Sequence, residues 1–430
     1  MDDNSSKFFI DLFAGCGGLS LGLEQAGFKP VLVSELNKSA AETYKSNRSE
    51  ENIIYIPDVK NITEEKVKKF KNIDLVCGGP PCQGYSAIGI RRTHKAEKKT
   101  MPKNRLYKQM IRIIGLVEPK IFLFENVRGI LTGRWTSGGK KGEIFRSVFK
   151  DFHDKLGENY HVRWELIKSS SYGIPQNRPR LFMVGLQKSL NFCKKREKKL
   201  SGSSEIILED MKKDDSPLKK GYGVDDEFFP KKCDEKAPGP KELLDDLVDP
   251  DYEKHGYVNK KYLKKTFISA KQKEMRKRKN TTKDEDYMKD GEELTEQVYS
   301  KHNPLIKEKF QYMIENNKIH PDHKTKKFSQ KKLPAEWGGK PPTITVTSLP
   351  DDYVHYSQPR ILTVREWARL QTFPDWYEFE GNRTTGGNRR SGTPQSTADQ
   401  IETPKYTQIG NAVPVELARQ IGEHFKTLLD

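Results

Sequence analysis

The sequence lacks several features that define other classes of protein. No stretch approaches the ~20 apolar residues that a membrane-spanning helix needs, which excludes an integral membrane protein. The five cysteines form an odd number with no C-x-x-C pair, so we expect neither a disulfide framework nor a zinc site. The polar opening MDDNSSK predicts no signal peptide. These absences favour a protein of a reducing cytoplasm that holds no metal.

Hydrophobic residues are also scarce, at 34% of the 430 residues, which is below the usual globular share. Part of the chain must therefore be polar or loop-rich. The length suits one large domain and a smaller one. Positive charge is abundant: 77 Lys and Arg oppose 60 Asp and Glu, so the net charge is +17. This balance predicts a polyanionic partner.

Two segments hold most of the excess positive charge. Residues 91–105 carry a net +6, and residues 261–280 carry a net +8. Such concentrated runs are typical of surfaces that bind a phosphate backbone, although a single run is more often a solvated face. The members that we predict to contact nucleic acid are Arg91, Arg92, Lys277 and Arg278.

Short β-rich runs alternate with amphipathic stretches through the first 190 residues. The strand candidates are residues 8–13, 31–35, 53–56, 73–77, 121–125, 162–167 and 181–186. This alternation predicts an α/β fold with a doubly wound, mostly parallel seven-stranded sheet, which binds ligands at the carboxyl ends of its strands. Residues 191–340 are dense in both charges and predict a second, smaller and irregular domain.

A glycine-rich turn, DLFAGCGG at residues 11–18, follows the first strand candidate. Its glycines allow close approach of a ligand to the backbone at a helix N-terminus. Glu35 ends the second strand about 20 residues after Gly15, where an acid accepts hydrogen bonds from ribose hydroxyls. Asp58 follows the third strand and suits an adenine amino group. The G-x-G-G pattern behind Asp11 predicts an adenosyl cofactor without phosphates.

Two further strand ends carry candidate catalytic groups. Cys82 follows a rigid Pro-Pro in the loop after the fourth strand, within CGGPPCQGYS. A thiolate there is a strong nucleophile when neighbouring cations lower its pKa. Glu125 begins ENVRG at the end of the fifth strand and faces the same crevice. The alternative role for Glu125 is a cap for the following turn.

DLFAGCGG, GGPPCQGYS and ENVRG, in this order and spacing, resemble the cytosine-C5 DNA methyltransferases of bacterial restriction-modification systems. QNRPR at 176–180, RILTVREWARL at 360–370 and QIGNAVP at 408–414 also match. The resemblance implies a Rossmann-like methyltransferase fold that uses S-adenosylmethionine. It implies a catalytic domain at 1–190, a target-recognition domain at 191–400 and a segment at 401–430 that returns to the catalytic domain.

The resemblance also implies roles for individual residues. Cys82 would add to C6 of a flipped-out cytosine, Glu125 would protonate or hydrogen-bond the N3 side, and Arg178 and Arg180 would hold the base. The implied cofactor-binding residues are Phe13, Gly15, Glu35, Asp58, Pro81, Leu106, Asn411 and Val413. Residues 86–105 correspond to a loop that closes over the flipped base. The implied DNA contacts near it are Gln83, Ser86, Ile88, Arg91 and Arg92.

The implied partner is double-stranded DNA, alongside a restriction endonuclease acting on the same site. We expect a cytoplasmic monomer without membrane contact. One alternative is a relative that methylates cytosine in tRNA with the same catalytic residues, although the basic insert at 190–340 favours DNA. Another is a nucleotide-dependent oxidoreductase, which explains the glycine turn and Glu35 but not PPCQ together with ENV.

Overall fold

Seven strands form the central sheet of the computed structural model. The model describes residues 6–49, 52–70, 72–81, 105–136, 138–213, 218, 221–233, 235–318, 320–321, 331–336, 341, 343, 353–384 and 402–430. The strands are β1 (Lys7–Leu12), β2 (Phe28–Ser34), β3 (Ile54–Tyr55), β4 (Leu75–Gly78), β5 (Ile121–Val127), β6 (Tyr160–Lys168) and β7 (Pro179–Gln187). All seven strand candidates are confirmed, with their bounds shifted by a few residues.

Helices cover the sheet and build the rest of the molecule. In the sheet region they are α1 (Gly18–Gln25), α2 (Lys38–Ser46), α3 (Glu64–Lys68), α4 (Tyr107–Val117), α5 (Glu143–Leu156), α6 (Asn191–Lys195) and α7 (Glu197–Lys212). Beyond it are α8 (Pro240–Leu244), α9 (Ala270–Met275), α10 (Pro304–Asn316), α11 (Val364–Leu370), α12 (Lys405–Asn411) and α13 (Val415–Leu429). Strands β8 (Lys331–Lys332) and β9 (Tyr353–Val354) pair with each other. Among the described residues, no helix has the length and apolar character to cross a bilayer.

The strand order is β3-β2-β1-β4-β5-β7-β6, and only β7 runs against its neighbours. The predicted mostly parallel, doubly wound sheet is therefore confirmed. The reversal of β7 has a direct consequence for the site. Because β7 is antiparallel to β5, it begins at the edge of the sheet where β5 ends, and Arg180 pairs in register with Val127. A parallel β7 would have placed its first residues at the opposite edge.

Both faces of the sheet are buried, because successive side chains of a strand point to opposite sides. Phe122 and Phe124 of β5 join the core beneath α4 and α5, whereas Leu123 joins the core beneath α1 and α13. The C-terminal helix α13 packs closely on α1. A Cβ on Gly22 would collide with the carbonyl oxygen of Val415, so the two backbones approach as only glycine allows.

The segment at residues 191–229 packs on the sheet. Arg163 of β6 is fully buried and pairs with Asp226 at 2.5 Å, while its guanidinium donates to Ser204 of α7. Phe228 and Phe229 join the core beneath α13. The domain boundary after residue 190 stays a prediction, and these contacts favour one nearer residue 230.

A third core lies around α11. It joins residues of α8, α9 and α11 to Cys16 and Leu21 at the glycine turn and α1. Its centre is a buried ionic network: Arg369 pairs with Asp246 and Asp375 at 2.5 Å each, and Arg276 pairs with Asp246 at 2.8 Å. Leaving any one of these charges unpaired would be costly, so the network fixes how α9, α11 and the segment at 245–247 meet.

Candidate active site

The glycine turn links the ends of β1 and β2. Phe13 has a φ of 63° and Gly15 a φ of 57°, so the chain enters the left-handed region immediately after β1. Such a conformation in a phenylalanine is rare and marks sites where backbone shape matters. The turned backbone directs the Gly15 N–H at Glu35 Oε2 at 2.8 Å, and the Asn37 N–H bonds Oε1 at 2.7 Å. Burial raises the pKa of Glu35, although these donors oppose the shift.

The turn borders an open space. A Cβ built on Gly15 would meet no atom within 4 Å, and Leu36, next to Glu35, is a 41% exposed apolar side chain. Val413 closes the turn from the C-terminal segment, since its carbonyl oxygen lies 2.6 Å from the position of a Cβ on Gly18. Phe13, Gly15 and Glu35 thus lie at one turn, against which Val413 packs, and their role in binding a cofactor stays a prediction. An open space beside a carboxylate and an apolar side chain fits an adenosyl group.

The remaining predicted cofactor residues are Asp58 and Pro81 in loops after strands, Leu106 at the start of α4 and Asn411 at the end of α12. Asp58 is half-buried and caps the short helix after β3 by accepting from the Lys60 N–H at 3.0 Å. Arg112 of α4 donates to the carbonyls of Val59 and Ile62, which packs this loop against the helix that Leu106 caps. Pro81 and Leu106 are half-buried, and Asn411 is exposed.

Asp11 lies beneath the turn and is 1% exposed. Ser20 Oγ donates to Asp11 Oδ2 at 2.5 Å, and Tyr44 Oη donates to Ser20 Oγ at 2.9 Å. Burial raises the pKa of Asp11 to about 7, although the Ser20 bond and Arg48 lower it. The carboxyl therefore ties β1 to α1 and changes its charge near neutral pH.

Glu125 and Arg180 form an ion pair at the carboxyl end of β5, with 2.6 Å between Oε1 and Nε. Gly79 leaves room for this carboxyl, because a Cβ there would lie 2.7 Å from Oε2. Burial raises the pKa of Glu125, while Arg180 and Arg178 oppose it. A carboxyl with a raised pKa, beside two cations, suits hydrogen bonding to a base or transferring a proton to it.

Arg178 lies deep in the same site and donates through Nη1 to the carbonyl of Gly410. Burial lowers the pKa of both guanidinium groups, and Glu125 opposes the effect. Gln371 links the segment around Gln176 to α12, since its side chain accepts a hydrogen bond from Gln176 and donates one to the carbonyl of Ile409. The QNRPR and QIGN motifs, far apart in sequence, therefore meet at one edge of the sheet.

The loop after β4 is anchored to the end of β5. Asn126, 4% exposed, donates to the carbonyl of Pro80 at 3.0 Å. This bond holds the Pro-Pro turn beside Glu125. Cys82 itself lies outside the described residues, as do Gln83, Ser86, Ile88, Arg91 and Arg92.

Several basic residues of the second basic run pair with acids that lie outside the run. Lys277 bonds Asp284 at 2.6 Å, and Arg278 pairs with Asp286 and Glu292. Arg276 is buried and structural. The roles of Lys277 and Arg278 in DNA binding stay predictions, and acids outside the run neutralise part of the +8.

Sequence reasoning missed several residues that shape the site: Arg48, Asn126, Gln371 and Tyr377. Asn126 lies inside the ENV motif and Gln371 directly follows the 360–370 segment, so the motifs themselves are the sequence signal for both. Arg48 and Tyr377 carry no local signal, because the carbonyls of the glycine turn that they contact lie 31 and 361 residues away.

The sheet order, the glycine turn with its strand-end acids and the Glu125–Arg180 pair define a Rossmann-like methyltransferase. The family model for C-5 cytosine-specific DNA methylases matches residues 8–427, and the chain belongs to this family. It is thus a DNA cytosine-5 methyltransferase, which decides against the oxidoreductase alternative.

Similar proteins cover nearly the whole chain. The type II methyltransferase M.DdeI of Desulfomicrobium norvegicum is 28% identical over 96% of this chain and 87% of its own length. M.PspPI of a Psychrobacter species is 29% identical over 100% of this chain and 81% of its own length. A solved structure of a DNA modification methyltransferase encoded in an E. coli prophage aligns with a TM-score of 0.63 at 23% identity, covering 98% of this chain and 99% of that one, which supports the shared fold.

Proposed function

We propose that the chain transfers a methyl group from S-adenosylmethionine to C5 of a flipped-out cytosine in a specific duplex DNA sequence. The observation that carries the proposal is the convergence of Glu125, Arg180 and Arg178 at the edge of the sheet that also carries the glycine turn, beside the Pro-Pro turn that leads to Cys82. Family membership supports the reaction, and the geometry suggests how the residues divide the work.

S-adenosylmethionine supplies a methyl group on an electrophilic sulfonium. The residues that would hold it are those around the open space at Gly15. Glu35 keeps acceptor capacity for ribose hydroxyls, because a carboxylate has about four lone-pair sites and its backbone donors are Gly15, Asn37 and Leu36. Leu36 offers an apolar surface to adenine, and Asp58 offers an acceptor to its amino group.

Cys82 would attack C6 of the cytosine as the thiolate, forming the S–C6 bond and pushing electron density to C5 and N3. Glu125 would protonate or hydrogen-bond N3, which stabilises that density, and its raised pKa suits the role. Arg178 and Arg180 would hold the base oxygen and favour the thiolate. C5 would then take the methyl group, whose bond to the sulfonium sulfur breaks to leave a neutral thioether. A base would remove the C5 proton, Glu125 would take back the N3 proton, and the restored C5–C6 double bond would expel the Cys82 thiolate.

Reaching C6 requires the cytosine to leave the stacked duplex, so we assign base flipping to this enzyme. We assign target recognition to the unit around α8 to α11, within the predicted 191–400 segment, because residues 191–229 pack on the sheet. The relatives named type II methyltransferases support a restriction endonuclease that cuts the same unmethylated site as the functional partner.

Expression in a host without cytosine methylation, followed by bisulfite sequencing, tests the proposal. We expect 5-methylcytosine at one recurring DNA sequence, and none with the Cys82→Ser variant. Methylation of tRNA without DNA would instead support the tRNA alternative. Unmodified DNA and RNA from cells that contain folded enzyme would contradict the proposal.

A further inference from the structure

Two side chains outside the sequence motifs donate hydrogen bonds to backbone carbonyls of the glycine turn. Tyr377 Oη donates to the carbonyl of Cys16 at 2.5 Å, and Arg48 Nη2 donates to the carbonyl of Gly17 at 3.3 Å. Both carbonyls lie in the turn that directs the Gly15 N–H towards Glu35. The turn is therefore fixed on its far side from the open space.

Arg48 is itself firmly placed, with its side chain 6% exposed. It makes three bonds of 2.7 to 3.0 Å to the Glu24 carboxylate, and its guanidinium lies 3.8 Å above the Tyr44 ring. It also donates to Tyr377 Oη at 3.1 Å. A Cβ on Gly17 would lie within 2.8 to 3.0 Å of Tyr44, Arg48 and Tyr377, so these three side chains enclose the turn.

Tyr377 belongs to a segment that is docked on both sides. Asn47 exchanges two hydrogen bonds with the Glu378 backbone, and Glu380 N–H donates to Thr43 Oγ1 at 2.7 Å, which pins the segment to α2. On the other side, Arg365 of α11 donates to the carbonyl of Tyr377 at 3.0 Å. The Tyr377 hydroxyl thus connects the core around α11 to the glycine turn.

We propose that Tyr377 and Arg48 are positioning residues that hold the Cys16 and Gly17 carbonyls, so that the glycine turn keeps the shape that receives the cofactor. This inference rests on the proposed binding of S-adenosylmethionine at that turn. Tyr377 contributes more than Arg48 to holding the turn, because its hydrogen bond is the shorter and comes from a rigid, fully buried ring.

Tyr377→Phe tests the inference, because it removes one hydroxyl and keeps the ring. Tyr160→Phe is a matched control: Tyr160 is also buried, and its hydroxyl donates to the carbonyl of Pro119 at 2.6 Å, at the other end of the sheet. The measurements are the Kd of S-adenosylmethionine by calorimetry, the melting temperature, and kcat with KM for cofactor and for DNA.

For Tyr377→Phe we expect a five- to tenfold rise in the Kd and in the KM for cofactor, because the loss of one buried hydrogen bond falls on the form of the turn that binds the cofactor. kcat at saturating cofactor and the KM for DNA should stay within twofold of wild type. Tyr160→Phe should leave the Kd unchanged even if its melting temperature falls. Arg48→Lys keeps a positive charge opposite Glu24 but loses the fork of donors, so it should raise the Kd severalfold as well.

A Kd for Tyr377→Phe within twofold of wild type would overturn the inference, as would an equal rise in Tyr160→Phe, which would mark a general loss of stability. Wild-type enzyme that binds no S-adenosylmethionine would instead overturn the proposed function, together with the inference that depends on it.

Discussion

The variant Asp11→Asn tests how much a buried negative charge beneath the glycine turn lowers the free energy of unfolding, because it removes the charge and keeps the packing. Asp11 is 1% exposed and accepts a 2.5 Å hydrogen bond from Ser20. Burial raises its pKa from an ordinary value of 3.8 to about 7, and this difference corresponds to about 4 kcal/mol. Asparagine has nearly the shape of the protonated carboxyl and carries no charge, so it keeps the bond to Ser20 without ionising.

Linkage sets the direction of the pH dependence. The pKa of Asp11 is higher in the folded than in the unfolded chain, so the folded chain binds the additional proton between pH 4 and 7. The stabilising contribution is complete below the unfolded pKa and is lost as the pH rises through the folded value. Asp11→Asn lacks this loss, so its stability relative to wild type should grow from near zero at pH 4 to about 4 kcal/mol at pH 8.

Urea unfolding between pH 4 and pH 8 measures the free energy of unfolding of wild type and of Asp11→Asn. Ser20→Ala serves as the control, because it keeps the carboxyl and removes its hydrogen-bond donor. That variant should be less stable than wild type, most of all at pH 8, where the carboxylate is ionised. Parallel pH profiles for wild type and Asp11→Asn would refute the reasoning, because they would show that Asp11 does not titrate in this range.

Three further predictions concern chemistry, DNA binding and packing. Glu125→Gln should slow methyl transfer by about 10²- to 10⁴-fold in single-turnover assays with cofactor affinity intact, and a large loss of that affinity would give Glu125 a binding role. Replacing the basic residues of 91–105 with glutamine should reduce the salt dependence of DNA binding, and an unchanged slope would make that run a solvated surface. Gly22→Ala should cost about 1–3 kcal/mol in thermal unfolding because its Cβ would collide with α13, whereas Gly115→Ala, in open space on α4, should gain about 1 kcal/mol. Equal effects would contradict the close packing.

Local patterns were sufficient to predict the elements of the sheet and the acids at its strand ends. The run at residues 181–186 predicted β7, but nothing in that run indicated its reversal, which is set by pairing with β5 and β6. That reversal is what brings Arg180 to Glu125. The motif resemblance supplied the role of the arginine, and the antiparallel register supplies the physical reason for its position.

Long-range contacts account for what the sequence did not indicate. Tyr377 and Cys16 are 361 positions apart, and a tyrosine in a segment without helical or strand periodicity has no pattern that predicts a partner. The basic run at 261–280 indicated a more positive surface than the structure has. Arg276, Lys277 and Arg278 have acidic partners that come from other segments. Counting charge along the chain could not show that neutralisation.

The central claim is that Cys82 forms a covalent bond to cytosine in DNA during methyl transfer. The direct measurement is the mass of the enzyme after incubation with S-adenosylmethionine and a duplex that carries 5-fluorocytosine at the mapped target position. Fluorine cannot leave C5 as a proton does, so the account predicts a stable adduct, with the methylated strand attached to the peptide that contains Cys82. No adduct should form with Cys82→Ser. Efficient methylation of the ordinary duplex, with no adduct on the fluorinated one and Cys82 recovered unmodified, would contradict the account.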